Sequence, residues 1–294
     1  MLYIIVKKLL IKKNKSHWLY LIPSIVGLSI FYLLPFIWMI YYSFLSNPVN
    51  GRFVGFQNYI ELINNNVYRL ALGNTALFTL ISVPSIILLS LLVALLLNKN
   101  MYYKEKLKAS FIIPLVVPVA SIILFFDLLF DTRGVLNNFL TRMGGNPIDW
   151  LNSNWSMLAI IIIFIWKNIG YNIVLFMAGL AKIPTEYYEA ASIEGANSLQ
   201  KFLNITIVYL SPTMFFVLVI SIINSFKIFK EIYLLAGEYP HRRIYMLQHY
   251  LNNMFIKLEY NKLVTSAILF ALIIYISLFL LFKLQRKIGR DINW

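Results

Sequence analysis

Six runs of about twenty mostly apolar residues punctuate this chain, and each is as long as a helix must be to cross a bilayer. They extend over about Trp18–Leu45, Asn74–Leu97, Ala109–Phe130, Ser156–Leu180, Val208–Leu235 and Leu263–Phe282. A bilayer core offers no water to backbone N–H and C=O groups, so runs of this length predict helices that satisfy their own hydrogen bonds. The expected fold is therefore an all-α integral membrane protein with six transmembrane helices. Composition agrees: charged residues make up 13% of the chain, against about a quarter in a soluble domain. Pro23, Pro35, Pro84, Pro114 and Pro118 fall inside the runs, where neighbouring helices can satisfy the carbonyls they free.

The net charge of +14 fits nucleic-acid binding or a membrane protein with basic cytosolic loops. The positions select the second, because the charges lie between the apolar runs. Five lysines precede the first run (Lys7, Lys8, Lys12, Lys13, Lys15). Lys99, Lys104, Lys106 and Lys108 follow the second, and Lys182 and Lys201 the fourth. Lys283, Arg286, Lys287 and Arg290 close the chain. That places fifteen on one side, against eight on the other: Arg52, Arg69, Arg133, Arg142, Arg242, Arg243, Lys257 and Lys262. The bias predicts cytosolic termini. The fifth loop is the exception, being basic yet placed outside. The expected organisation is a basic lead over 1–17, lying on the membrane surface, a six-span domain over 18–283 and a cytosolic tail over 284–294. The lead does not read as a cleavable signal, because the apolar run after it is too long and no small-residue cleavage site follows. Trp18, Trp38, Trp150 and Trp155 sit near span ends, where aromatic side chains prefer the interface. There is no Cys, so disulfides and thiolate chemistry are excluded.

The loop over about 182–207 reads Lys182-Ile-Pro-Thr-Glu-Tyr-Tyr-Glu-Ala-Ala-Ser-Ile-Glu-Gly-Ala-Asn-Ser-Leu-Gln-Lys-Phe-Leu-Asn-Ile-Thr-Ile207. It predicts two short helices around a break. Pro184 suits a first turn with Thr185 beside it as a cap, and Gly195 supplies the left-handed residue that ends the first helix. Asn197 or Ser198 can cap the next. Tyr187, Ala190, Ala191 and Ala196 give a small, partly apolar surface beside acidic residues, and small residues allow close approach of a partner. On pattern alone, a docking element and an ordinary helical surface loop are both open.

Glu189-Ala-Ala, then Glu194-Gly-Ala after three residues, then Phe202, Ile205 and Pro212, resembles the EAA loop of permeases in binding-protein-dependent ABC importers. The nearest group is the carbohydrate permeases of the maltose and glycerol-phosphate type. Phe53-Val-Gly-Phe-Gln-Asn-Tyr59, Trp166-Lys-Asn-Ile-Gly170 and Ala178-Gly-Leu180 resemble other parts of that family. The resemblance implies the type I importer permease architecture and half of a translocation path. It implies four kinds of partner: a second homologous permease in a heterodimer, an ATPase dimer, an extracellular solute-binding protein and a sugar. ATP and Mg²⁺ would sit on the ATPase, with no cofactor on this chain. Glu189, Ala190, Ala191, Glu194, Gly195 and Ala196 would form the ATPase-coupling element, with no catalytic residue here. Three departures stand out. Glu194 replaces an Asp. Val208 replaces a proline, so the second loop helix is expected to run straighter into span five. Phe229–Pro240 lacks the Asp, Thr and Gly-Gly-Pro common in that stretch.

No G-x-x-x-x-G-K-[ST] loop occurs, so a phosphate cradle is expected on another chain. His241 and His249 flank one outer segment, and no metal site is assigned to them. Polar groups inside spans are costly and so are functional candidates. Lys167 and Tyr171 share one face of span four, and Asn168 and Asn172 an adjacent one. Ser221, Asn224 and Lys227 follow one face of span five, with Glu231 placed to neutralise Lys227; Asp127 lies near the outer end of span three. Lys167, Asn168, Tyr171, Asn172, Asn224 and Lys227 are the candidate substrate-path residues. The same groups would equally serve bonds between helices. The solute reads as a mono- or oligosaccharide, with an acidic sugar or a sugar or polyol phosphate as the alternative. An ion-coupled secondary transporter would more naturally show an internal repeat with broken helices, and a channel a filter segment or charge ring; neither is evident.

Overall fold

The computed structural model describes residues 20–47, 50–98 and 104–291. The basic lead, His17, Trp18, Lys99 and the last three residues lie outside them. The elements are helices α1 (Tyr20–Ser43), α2 (Gln57–Asn64), α3 (Asn66–Asn98), α4 (Lys104–Val116), α5 (Val119–Phe130), α6 (Val135–Arg142), α7 (Ser156–Leu180), α8 (Thr185–Ile193), α9 (Ser198–Ala236), α10 (Leu247–Ile256) and α11 (Tyr260–Asp291). A short 3₁₀ turn spans Arg242–Ile244. Among the described residues the only β pairing is an isolated bridge from Leu45 to Phe53. Five helices (α1, α3, α7, α9, α11) are long and apolar enough to cross a membrane, or six if the bent pair α4 and α5 is counted as one span.

Three spans differ from expectation. Span two begins at Asn66, because the Asn65 side chain accepts from the N–H groups of Val67 (2.9 Å) and Tyr68 (3.0 Å) and caps the helix eight residues earlier than hydropathy suggests. Span three is not one rod: the chain bends by 106° between its halves. Proline disfavours helical geometry in the residue before it, so Val117 leaves the helix and Pro118 (ψ 139°) restarts it. Pro84 and Pro114 remain inside helices. Span six continues as helix to Asp291, through what reads as a tail.

The chain forms two compact units, one gathering the chain up to Asn64 with Met254–Ala271, the other Asn65–Asn253 with the chain from Leu272 on. In the first, α1 carries a π-helical turn at Ser29–Leu33 and buries none of its apolar window. The turn after it is clamped by Asn58, which donates to the carbonyls of Ser43 (2.9 Å) and Leu45 (2.8 Å). Phe44 packs on Phe53, Phe56 and Tyr59 there.

In the second unit α7 is the central helix. Its Ile160, Ile163, Phe164, Ile173 and Phe176 are fully buried. They join two clusters, one with Phe78, Ile122, Phe126 and Ile232, the other with Ala94, Leu210 and Val217. Two α7 glycines permit this. A Cβ on Gly170 would lie 1.7 Å from the Phe111 carbonyl oxygen of α4, and one on Gly179 would meet Thr213 and Leu210 of α9. Small residues let membrane helices approach to backbone contact in this way.

Candidate functional site

The elbow between α7 and α9 is built by capping chemistry. α8 follows Pro184, which occupies the cap position itself; Thr185 is the first helical residue and makes no cap bond. α8 ends in a Schellman motif. The Ala196 N–H donates to the Ala191 carbonyl (2.8 Å), the Gly195 N–H donates to that of Ser192 (3.1 Å), and Gly195 sits at φ +82°. A full capping box then starts α9: Asn197 Oδ1 accepts from the Gln200 N–H and Gln200 Oε1 accepts from the Asn197 N–H. The second helix is not short. It runs directly into span five, through a π-helical turn at Phe202–Thr206, so the lost proline leaves the helix continuous though not regular.

The two arms are braced. Tyr188 Oη and Thr206 Oγ1 are 2.9 Å apart, Lys201 Nζ donates to Ser192 Oγ (2.6 Å), and the rings of Tyr187 and Tyr209 lie 5.2 Å apart. Sequence reading missed these braces; hydroxyl and amine partners nine to eighteen residues apart carry no period. α8 buries no residue. Glu189, Ala190, Glu194 and Gly195 are exposed, Ala191 and Ala196 half-buried. Ile193 is 88% exposed and Leu199 64%, an apolar tip rimmed by acidic groups.

The in-span polar residues fall into pairs. Lys167 of α7 forms an ion pair with Glu231 of α9, the carboxylate side being 3% exposed and the amine side 27%. The expected Lys227–Glu231 pair is absent. α9 breaks its regular winding at Lys227, whose N–H turns back to the Asn224 carbonyl (φ −89°, ψ 0°), so spacing of four across that point no longer gives a shared face. Lys227 is exposed instead. Asn172 Nδ2 donates to Ser221 Oγ (3.0 Å) and both are buried; this pair joins α7 to α9. Asn168 donates to the Phe164 carbonyl of its own helix (2.9 Å). Tyr171 is 37% exposed, Asn224 half-buried and Asp127 exposed. Beside Lys167, Trp166 stacks on Phe125 (6.0 Å) and meets Phe126 edge-on (5.4 Å).

At the end of this unit opposite α8, the 3₁₀ turn is pinned from two sides. Asn74 Nδ2 donates to the carbonyls of Arg242 (2.6 Å) and Tyr245 (2.9 Å), and Thr75 Oγ1 accepts from the Leu247 N–H (2.9 Å). Ser156 Oγ lies 3.2 Å from His241 Nδ1. His249 is fully buried between the rings of Phe229 and Tyr245, and its Nδ1 accepts from the Met246 N–H (3.3 Å). Burial lowers its imidazole from the usual 6.5 to about 4. No cluster of three or more metal-ligating side chains occurs among the described residues.

Known proteins match this architecture. The arabinooligosaccharides transport system permease protein AraP of Bacillus subtilis (strain 168) is 34% identical over 234 residues, 78% of this chain and 74% of that protein. The lactose transport system permease protein LacF of Rhizobium radiobacter is 32% identical, covering 74% and 75%. A crystal structure of a bacterial ABC transporter involved in the import of the acidic polysaccharide alginate shares the fold, with a TM-score of 0.82 at 21% identity over 95% of this chain and 97% of that one. The profile of the family described as "Binding-protein-dependent transport system inner membrane component" matches residues 74–293. The chain belongs to that family of multi-pass membrane components.

Proposed function

We propose that this chain is the permease subunit of an ABC importer for a mono- or oligosaccharide, forming half of the path and docking a separate ATPase through the α8–α9 elbow. The observation that carries this reading is the elbow itself: a helix with no buried residue, closed by Gly195, braced to α9 and tipped with exposed Ile193 and Leu199. Such a surface is unfinished without a partner. ATP and Mg²⁺ belong to that ATPase, which works as a dimer. A second homologous permease completes the path, a solute-binding protein delivers to the opposite end, and both termini face the cytosol. Glu189 and Glu194 offer charge to the docking groove, and the braces transmit its movement to α9 as to a lever.

Sugar as the solute is supported by relatives named for arabinooligosaccharides and lactose. It is also supported by the hydrogen-bonding side chains of Asn168 and Tyr171, three residues apart along one flank of α7. The Glu231 carboxylate answers the Lys167 charge, so Lys167 offers little to an anion and a neutral saccharide fits better. Exposed Lys227 favours the acidic or phosphorylated alternative. The test is recovery of this chain from its native membrane with its partners identified by mass spectrometry, followed by a ligand screen of the co-purified binding protein. An ATPase, a second permease and a binding protein that takes a neutral sugar are expected. Recovery of the chain alone, transporting in liposomes without ATP, would overturn the reading.

A further inference from the structure

The basic fifth loop runs against the charge bias of the chain, and its arginines have a definite setting. Arg242 and Arg243 are exposed and neither forms an ion pair with a described residue. They stand on the pinned turn, so their backbone is fixed by Asn74 rather than by their own side chains. They border a cleft of about 470 Å³ that Leu70, Leu77 and Met157 wall with aliphatic surface. No aromatic ring lines it, which removes the face a sugar would stack on.

Depth identifies what else could fill it. α3 has 33 residues, about 50 Å of helix at roughly 1.5 Å per residue. A hydrocarbon core of about 30 Å leaves roughly 10 Å, or about seven residues, beyond it at each end. The hydrocarbon boundary thus falls near Asn74, the residue that holds the Arg242 carbonyl. Below it, Leu77, Ile81 and Leu88 are all exposed (49%, 43% and 59%), and their spacing puts them along one flank of α3. Two forked cations stand at headgroup level above an aliphatic strip that runs into the membrane. Guanidinium groups match phosphate oxygens bidentately.

We propose that this cleft binds one anionic phospholipid, with Arg242 and Arg243 on the headgroup phosphate and an acyl chain along Leu77, Ile81 and Leu88. The inference rests on the membrane-spanning assignment alone and is independent of the solute.

The test uses the full chain purified in detergent and placed in nanodiscs of equal phosphatidylglycerol and phosphatidylcholine, with retained lipid read by native mass spectrometry. Wild type should retain one phosphatidylglycerol in preference to phosphatidylcholine by about thirtyfold, in line with two basic side chains at a surface. The R242Q/R243Q pair should lose that preference, while R142Q, altering an exposed arginine outside the cleft, should keep it. Leu77→Asn, which leaves both arginines in place, should also weaken retention if the acyl chain is bound. Unchanged preference in R242Q/R243Q would overturn the site. Displacement of the lipid by millimolar glycerol 1-phosphate, with Leu77→Asn without effect, would overturn the lipid assignment and leave a site for a soluble phosphate.

Discussion

The two ends of the α7 unit are built on opposite principles. At one end, 185–201 folds through caps and braces alone and buries almost nothing. At the other, Ile244, Tyr245, Met246, Leu247, His249 and Tyr250 are all buried, side chains of α3 fix the backbone there, and Ser156 of α7 meets the His241 ring. One end is finished by its own chain; the other holds a defined shape with its apolar tip bare. A free element that is rigid yet unburied is what a coupling lever requires: its shape must survive without the partner, and its stability should gain from the partner's arrival.

That contrast can be tested by perturbing each end, and the largest effects belong to the buried end. His249 titrates near 6.5 unfolded and near 4 folded. Between those values the unfolded chain binds more protons, so stability falls as pH falls and levels off below pH 4. The total loss is up to about 3 kcal/mol. Thermal unfolding in detergent between pH 7.5 and 5 should show this slope, and His249→Gln should flatten it. Asn74→Ala removes two bonds, to the carbonyls of exposed Arg242 and buried Tyr245, and should cost about 1–3 kcal/mol, read as a lower unfolding midpoint with the elbow undisturbed. At the elbow, Gly195→Val forces a branched residue to φ +82° though no atom obstructs its Cβ. The strain is about 1–2 kcal/mol, and uptake should uncouple from ATP hydrolysis; Gly195→Asn, which tolerates that conformation, should restore most coupling. Ile193→Ser should leave stability of the isolated chain within about 0.5 kcal/mol while weakening ATPase recovery. A large stability loss from Ile193→Ser, or none from Asn74→Ala, would break the contrast.

The apolar runs made the spans legible because length and hydropathy are local properties. So were Gly195 and Asn197, where one residue type answers one backbone need. What could not be read depends on events between elements. The break at Pro118 turned one expected rod into two, although Pro84 is absorbed without one. The Asn65 cap was missed, because hydropathy alone drew the boundary at Asn74. The Lys167–Glu231 pair was hidden because the winding fault at Lys227 shifted every later face of α9. Gly170 looks like any glycine in a span until the Phe111 carbonyl is found against it.

The central claim is that the α8–α9 tip is where the ATPase docks, and the absence of Cys in the sequence makes it directly accessible. A single cysteine at Ile193 in the otherwise unchanged chain, treated with a short crosslinker in native membranes, should capture the ATPase subunit. A cysteine at Val135, 69% exposed in α6, should not. Capture of the ATPase from Val135, or failure from Ile193 in a complex that still hydrolyses ATP on solute addition, would contradict the account.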